Sequence, residues 1–248
     1  MICQKMAEDL VRLGLKKDDT ILMHSSLSSL GHVDGGAETV IDTLLSVLSE
    51  GTLLLPALSC NTVGWDNMRF SVRNSPSCVG AITEYFRTRP GVMRSMHPTH
   101  SVCGIGVHAE EILGHHLETD TPAGAMSPYS LIRKFNGKIL MLGCTLKPNT
   151  SMHAVEELSE PPYLYKPNTS EFELEDWDGN VIAKTYRTHN FRGYRQRYDR
   201  LADLMEIPCG KVLEAEAFLI DANTMWEKAH EKYLENPLYF VDIAEPKK

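Results

Sequence analysis

Between Thr20 and Pro56 the chain reads apolar run, glycine-rich turn, amphipathic run, apolar run. Thr20 to Leu27 (TILMHSSL) begins as an unbroken apolar stretch of strand length. Gly31 and the pair Gly35-Gly36 follow as a turn. Residues 37–49 space their apolar positions at the helical period, and Gly51-Thr52 ends that run. Leu53-Leu54-Leu55-Pro56 is again strand-like. Strand, turn, helix, strand is the mark of a parallel α/β unit, because two parallel neighbours need a crossover between them.

The alternation continues along the chain. Residues 5–14 read as a short amphipathic helix ending at Gly14, and 80–88 as a helix stopping before Pro90. Ser101 to Gly106 and Lys138 to Gly143 (KILMLG) read as strands, 108–114 and 128–135 as short helices. Thr150 to Ser159 is a helix closed by Pro161-Pro162, since proline and the residue before it leave the helical region. Beyond Pro162 the period changes to two. Phe172 to Trp177 and Val181 to Tyr186 flank Asp178-Gly179, a hairpin signature. Residues 192–206 read as a charged amphipathic helix, Val212 to Ile220 as one strand and 223–235 as a helix. No linker rich in Gly, Ser or Pro divides the chain and no repeat recurs. The expectation is an α/β fold in one domain over 1–248, with a C-terminal β-hairpin excursion.

Composition narrows the function classes. A chain of 248 residues with 42% hydrophobic content can bury a sizeable core, and 23% charged residues without low complexity argue against disorder. No apolar run approaches the roughly 18 residues of a spanning helix, and the N-terminus lacks a signal-peptide core. A cytoplasmic protein without a membrane partner is expected. Six cysteines without a CxxC pair point to small buried hydrophobes rather than disulfides or a zinc knuckle. A net charge of −8 without a basic patch argues against a nucleic-acid partner. The arginines at 192, 195, 197 and 200, interleaved with tyrosines, read as a solvated helix face. The acidic balance suits a cationic substrate and equally serves solubility.

Three segments could carry chemistry. His24-Ser25-Ser26-Leu27, with Gly31 and Gly35-Gly36, lies between a strand and a helix, where backbone N–H groups and the helix dipole favour phosphate. Its spacing is neither a Walker loop nor GxGxxG, so an ordinary strand–helix turn competes with that reading. Arg94-Ser95-Met96-His97-Pro98-Thr99-His100-Ser101 crowds cationic, imidazole and hydroxyl groups before a strand. Arg94 suits a phosphate. His97 and His100 have an HxxH spacing, but no carboxylate or thiolate completes a ligand set, and Pro98 opposes a shared helical face. No metal is expected there. In the third segment, Thr150 to Glu157, His153 and Glu156 stand three apart on one helix face. That spacing fits a carboxylate-oriented general base, a pair of metal ligands or a plain surface pair. Asp34, Asp66 and Glu84 suit a cationic substrate without a local signal to choose among them. His189 stands alone before the arginine run, and His115-His116 read as solvated.

In order and spacing, these segments resemble the aminoglycoside 3-N-acetyltransferase family over roughly residues 8–240. The matching pieces are LMHSSLSSLGHVDGG, GTLLLPALS, GAITEYFR, PGVMRSMHPTHSVCGIG, GAMSPYSLI, KILMLGCTLKPNTSMHAVEE and GKVLEAEAFLID. The resemblance implies a single α/β/α sandwich around a mixed sheet and acetyl transfer from acetyl-CoA to an amine. It implies that His24, Ser25, Ser26, Leu27 and Gly31 line the CoA path, joined by Arg94, Ser95, His97 and Ser101. It maps the general base onto His153 and its partner onto Glu156, with Ser101 a candidate oxyanion donor. Asp66, Glu157 and His189 are assigned to the amine. No cysteine in the matched motifs stands where an acyl-enzyme needs one, although Cys144 lies near His153 in sequence, so direct transfer in a ternary complex is expected. Monomer and homodimer both remain open. Two departures bear on the acceptor. The stretch after Leu58 (SCNTVGWDNMRF) and the 172–186 hairpin do not match the acidic substrate-facing loops of resistance enzymes. The competing readings are a same-fold transferase for a non-antibiotic amine, a hydrolase using the His/Glu pair, and a non-catalytic CoA-binding protein.

Overall fold

The computed structural model describes residues 2–64, 66–190 and 192–244. Its helices are α1 (Ile2–Leu13), α2 (Ala37–Val47), α3 (Ala81–Arg87), α4 (Ala109–Leu113), α5 (Pro128–Leu131), α6 (Met152–Ser159) and α7 (Ala222–Glu235). Its strands are β1 (Thr20–Ser25), β2 (Thr52–Pro56), β3 (Arg69–Ser71), β4 (Met93–Arg94), β5 (Val102–Gly106) and β6 (Lys138–Leu142). They continue with β7 (Ser170–Glu175), β8 (Val181–Tyr186), β9 (Tyr194–Gln196), β10 (Cys209–Val212), β11 (Ala215–Asp221) and β12 (Val241–Ile243).

Seven strands form a central sheet in the order β10-β11-β6-β1-β2-β5-β4. β1 pairs in parallel with β2 and β6, whereas the outer pairings are antiparallel, so the sheet is mixed. Successive side chains point to opposite faces. Ile21 and Met23, with Leu53, Leu55, Leu140 and Leu142, pack against Met6, Leu10, Ile41, Leu44 and Phe86 of α1, α2 and α3. Leu22, Leu54, Ile139 and Met141 pack against Ile112, Val155, Met225 and Tyr233 of α4, α6 and α7. Both faces are therefore covered, which is why these strands read as continuous apolar runs rather than alternating ones. The result is the expected α/β/α sandwich. The β7–β8 hairpin turns at Asp178-Gly179, where Asp176 Oδ1 accepts from the Asp178 and Asn180 amides at 2.8 and 2.9 Å. It pairs with β3 over a smaller core of Phe70, Val72, Phe172, Leu174 and Tyr186.

Two expectations are corrected. Residues 192–206 are not a helix: they form β9, paired with β12, and a 3-10 turn over Tyr198–Asp203. Tertiary contacts outweigh the helical period here. Arg197 and Arg200 both bridge to Asp242. Tyr198 and Leu201, three apart, align on one side of the tight turn and are buried. Nor is Val212 to Ile220 one strand. β10 and β11 form a hairpin about Leu213, which takes φ 54° while its amide donates to Asp9 Oδ2 at 3.0 Å. Leucine carries no sequence signal for that left-handed turn.

Because β1, β2 and β6 run parallel, their carboxyl ends share one edge of the sheet. Open α/β sheets bind ligands outside that edge. His24 and Ser25 end β1, Pro56 ends β2, and the loop leaving β6 leads into α6.

Candidate active site

α6 carries both His153 and Glu156. Glu160 closes it in the left-handed region, φ 41°, immediately before Pro161-Pro162. Every residue from Met152 to Glu157 is buried, so the surface-pair reading of His153 and Glu156 does not hold. Glu156 is 0% exposed. Its Oε2 lies 2.7 Å from His153 Nδ1 and accepts from the Tyr198 hydroxyl at 2.7 Å. Its Oε1 accepts from the Tyr163 and Tyr233 hydroxyls at 2.8 and 3.0 Å. Burial alone would raise this carboxyl. The hydrogen bond and charge of His153, joined by the Tyr198 hydroxyl, outweigh it and hold Glu156 below the usual glutamate range. A carboxylate beside Nδ1 favours the imidazole tautomer that carries its proton there.

Glu157, the next residue, faces a different neighbourhood. Its Oε1 accepts from the Ala123 amide at 2.8 Å and lies 2.7 Å from His189 Nε2. Burial pushes this carboxyl up to about 7, against the pull of Thr121 and Ala123. His100 completes a cluster of imidazoles. The His153 and His189 rings are 4.8 Å apart, and His100 stands 5.4 Å from His189 and 5.9 Å from His153. The His100 ring is fixed by Thr99 Oγ1, 2.8 Å from its Nδ1.

Two cavities flank this cluster. One, of about 310 Å³, lies at the carboxyl ends of β1 and β2 and is lined by His24, Ser25, Cys144, Lys147, Thr150 and His153, among others. The other, of about 460 Å³, is lined by Cys60, Thr99, His100, Lys166, Thr188 and His189, among others. His24 is pushed down to about 3 by burial and then by His153, so it stays neutral. Burial raises the Cys144 thiol to about 11, which disfavours its thiolate.

The remaining assigned residues divide. Of the residues assigned to the CoA path, only His24 and Ser25 line the cavity with His153. Ser26 and Leu27 lie in the following 3-10 turn, where Ser26 Oγ bonds the Ser28 and Ser29 hydroxyls. Gly31 packs against Glu214, whose carboxylate lies 2.5 Å from where a Cβ would stand. Arg94 is 4% exposed and its guanidinium donates to Ser101 Oγ and to the carbonyls of Ala57, Val72 and Ser75. These contacts give it a structural role and use the groups a phosphate would need. Ser101 accepts from Arg94 and donates to Ala57 O at 2.9 Å, and it is not among the residues lining the cavity with His153. Ser95 Oγ lies 2.8 Å from His116 Nδ1, and His97 stacks on His116 with centroids 4.8 Å apart. His116 is fully buried in that network rather than solvated. Asp66 is exposed, close in the chain to Gly64, which lines the second cavity.

Tyr163, Tyr198 and Tyr233 escape sequence reasoning. They come from a loop, a 3-10 turn and α7, and no local pattern ties them to Glu156.

A family model described as aminoglycoside 3-N-acetyltransferase matches residues 22–234. An aminoglycoside N(3')-acetyltransferase-like protein, YokD, of Bacillus subtilis (strain 168) is 36% identical over 174 residues. That match covers 62% of this chain and 64% of the relative, a little under two thirds of its length. The crystal structure of a histidine-to-alanine variant of aminoglycoside acetyltransferase AAC(3)-IVa in complex with a gentamicin superposes with a TM-score of 0.82. It is 25% identical, covering 98% of this chain and 91% of that one. AAC-IIIb, solved as a binary complex with CoASH, has a TM-score of 0.81 over 100% of this chain and 99% of its own; at 23% identity it shares the fold alone. With the matched model spanning most of the chain, from the end of β1 through α7, the protein belongs to the aminoglycoside 3-N-acetyltransferase family.

Proposed function

We propose that the protein transfers an acetyl group from acetyl-CoA to an amine, with His153 as general base oriented by Glu156. The buried His153–Glu156 pair in its tyrosine cage, on the wall of a cavity at the sheet's carboxyl edge, carries this reading. An ammonium group is not a nucleophile, so a base must take its proton before attack on a thioester. His153 Nε2 takes it, and the charge that appears on the ring is stabilised by Glu156. A protein of the same fold solved with CoASH, and another solved with gentamicin, support these two substrate classes.

The 310 Å³ cavity receives the thioester end of the donor. Lys147 on its wall offers charge to a phosphate, and the hydroxyls of Ser25 and Thr150 offer donors to a developing oxyanion. The cavity on the far side of the imidazoles presents the acceptor amine. Transfer is direct in a ternary complex, with no acyl group carried on the Cys144 thiol. The acceptor is an aminoglycoside carrying a 2-deoxystreptamine ring; a non-antibiotic amine is the second reading, favoured by the unmatched stretch after Leu58 and the hairpin. The protein works in the cytoplasm.

Thiol release from acetyl-CoA across a panel of aminoglycosides and simple amines, with a no-acceptor control, tests this. Release that depends on a 2-deoxystreptamine compound supports the first reading. Release only with other amines moves the acceptor, and release without any acceptor points to hydrolysis instead.

A further inference from the structure

His100, His153 and His189 arrive from three separate parts of the chain: a loop before β5, the first turn of α6, and the segment after β8. Each offers one nitrogen to a common point, and the three nitrogens lie within 4.8 Å of one another. All three residues are buried. Tetrahedral ligation by imidazole, with metal–nitrogen distances of about 2.0–2.1 Å, places ligand nitrogens about 3.4 Å apart. Ligation therefore requires the three rings to draw together around the ion.

The surroundings match those of a built site. Metal-ligating histidines usually have their second nitrogen oriented by a carboxylate, carbonyl or other polar group. His153 is held by Glu156 and His189 by Glu157, each at 2.7 Å, and His100 by the Thr99 hydroxyl at 2.8 Å. His153 borders one cavity and His100 and His189 the other, so open space adjoins the cluster on two sides. The HxxH spacing in the sequence pairs the wrong residues. His97 Nδ1 accepts from the Thr99 and His100 amides, and its ring is stacked on His116.

We propose that His100, His153 and His189 bind a zinc-class divalent cation, and that its occupation withdraws His153 from proton transfer and switches the enzyme off. All-imidazole ligation suits zinc, cobalt, nickel or copper rather than magnesium or calcium. The switching rests on the role proposed for His153; the binding does not. No bond to substrate is made or broken: the cation takes the lone pair that the ammonium proton would otherwise meet.

Cobalt(II) is the probe, titrated into full-length protein freed of metal by a chelator. The expected result is one equivalent bound with the intense visible bands of four- or five-coordinate cobalt, displaced by zinc. Folded His100→Ala loses those bands, and Glu157→Gln weakens binding about 10- to 100-fold, the range for removing an orienting partner. Zinc suppresses thiol release and a chelator restores it. Absence of a cobalt spectrum in the unaltered protein overturns the proposal. So does an unchanged spectrum in folded His100→Ala. Should that variant not fold, X-ray absorption on the unaltered protein decides, with sulfur ligation overturning the site and nitrogen ligation supporting it. Full activity with cobalt bound overturns the switch alone. A protein inactive on every acceptor refutes the transferase reading, while the cobalt spectrum still judges the site.

Discussion

Two imidazole–carboxylate pairs stand side by side, built on adjacent glutamates of one helix. Each imidazole lies 2.7 Å from its carboxylate, and both glutamates are buried. Their charges nevertheless diverge. Glu156 takes three tyrosine hydroxyls besides His153 and is held below the usual range. Glu157, with the Ala123 amide, Thr121 and His189 as its partners, rises to about 7, chiefly by burial. Burial raises both carboxyls; at Glu156 the hydrogen bond and charge of His153, with the Tyr198 hydroxyl, outweigh it, and at Glu157 the pull of Thr121 and Ala123 does not. Glu156 stays on the ionised side beside His153. Glu157 sits where a proton can be gained or lost near neutrality.

The largest test of this contrast is His153→Ala. Turnover should fall about 10²- to 10⁴-fold, the usual worth of a positioned base, with CoA binding by calorimetry nearly unchanged. Unaltered turnover would remove the base assignment. Next comes Glu156→Gln against Glu157→Gln. The first should cost roughly 10²-fold in turnover, the second less than about tenfold. Equal losses in folded variants would erase the distinction between the pairs.

Stability against pH sharpens the comparison from another side. His24 and His116 are lowered to about 3, and His97, His100 and His189 well below their ordinary value, in every case chiefly by burial. As pH falls below 6.5 the unfolded chain protonates these rings and the folded one does not, so stability drops. Glu157 works in the opposite sense. Its folded pKa of about 7 exceeds the unfolded value of 4.5, so its contribution grows as pH falls from 7 to 4.5 and is lost as pH rises through 7. Thermal unfolding should show a falling midpoint from about pH 7 to about pH 5, steeper in Glu157→Gln. A shallower slope in that variant would contradict the raised carboxyl.

The smallest effect belongs to a single bar of the cage. Tyr233→Phe removes one hydrogen bond to a charged, buried oxygen and should cost about 1.5–3 kcal/mol of stability by denaturant titration. Its turnover should fall only a few-fold, since Tyr163 still donates to the same oxygen. No loss of stability would mean that the hydroxyl is not a real partner of Glu156.

Much of the fold was open to sequence reading because its signals are local. The apolar runs at β1, β2 and β6 and the period of α2 and α7 report their own burial. Asp178-Gly179 between alternating strands announced its hairpin. The 192–206 segment misled because Arg197 and Arg200 answer to Asp242, a residue more than forty positions away, which no period within the segment reveals. Leu213 misled because its left-handed turn is held by Asp9, nearly the whole chain away. Arg94 misled in a different way. A guanidinium among hydroxyls looks like an anion site until the carbonyls of Ala57, Val72 and Ser75 are seen around it.

By itself the sequence determined the α/β alternation, the placing of His153 and Glu156 on one helix face, and a kinship carried by the order of short motifs. Period and spacing settle such things, because side chains three apart on a helix meet wherever the helix lies. Only the tertiary structure decided that the pair is buried, that three tyrosine hydroxyls donate to its carboxylate, and that His100 and His189 join it. Those outcomes depend on the company each group keeps after folding. Desolvation and hydrogen bonding, which set a group's charge, come from residues that the chain order leaves far apart.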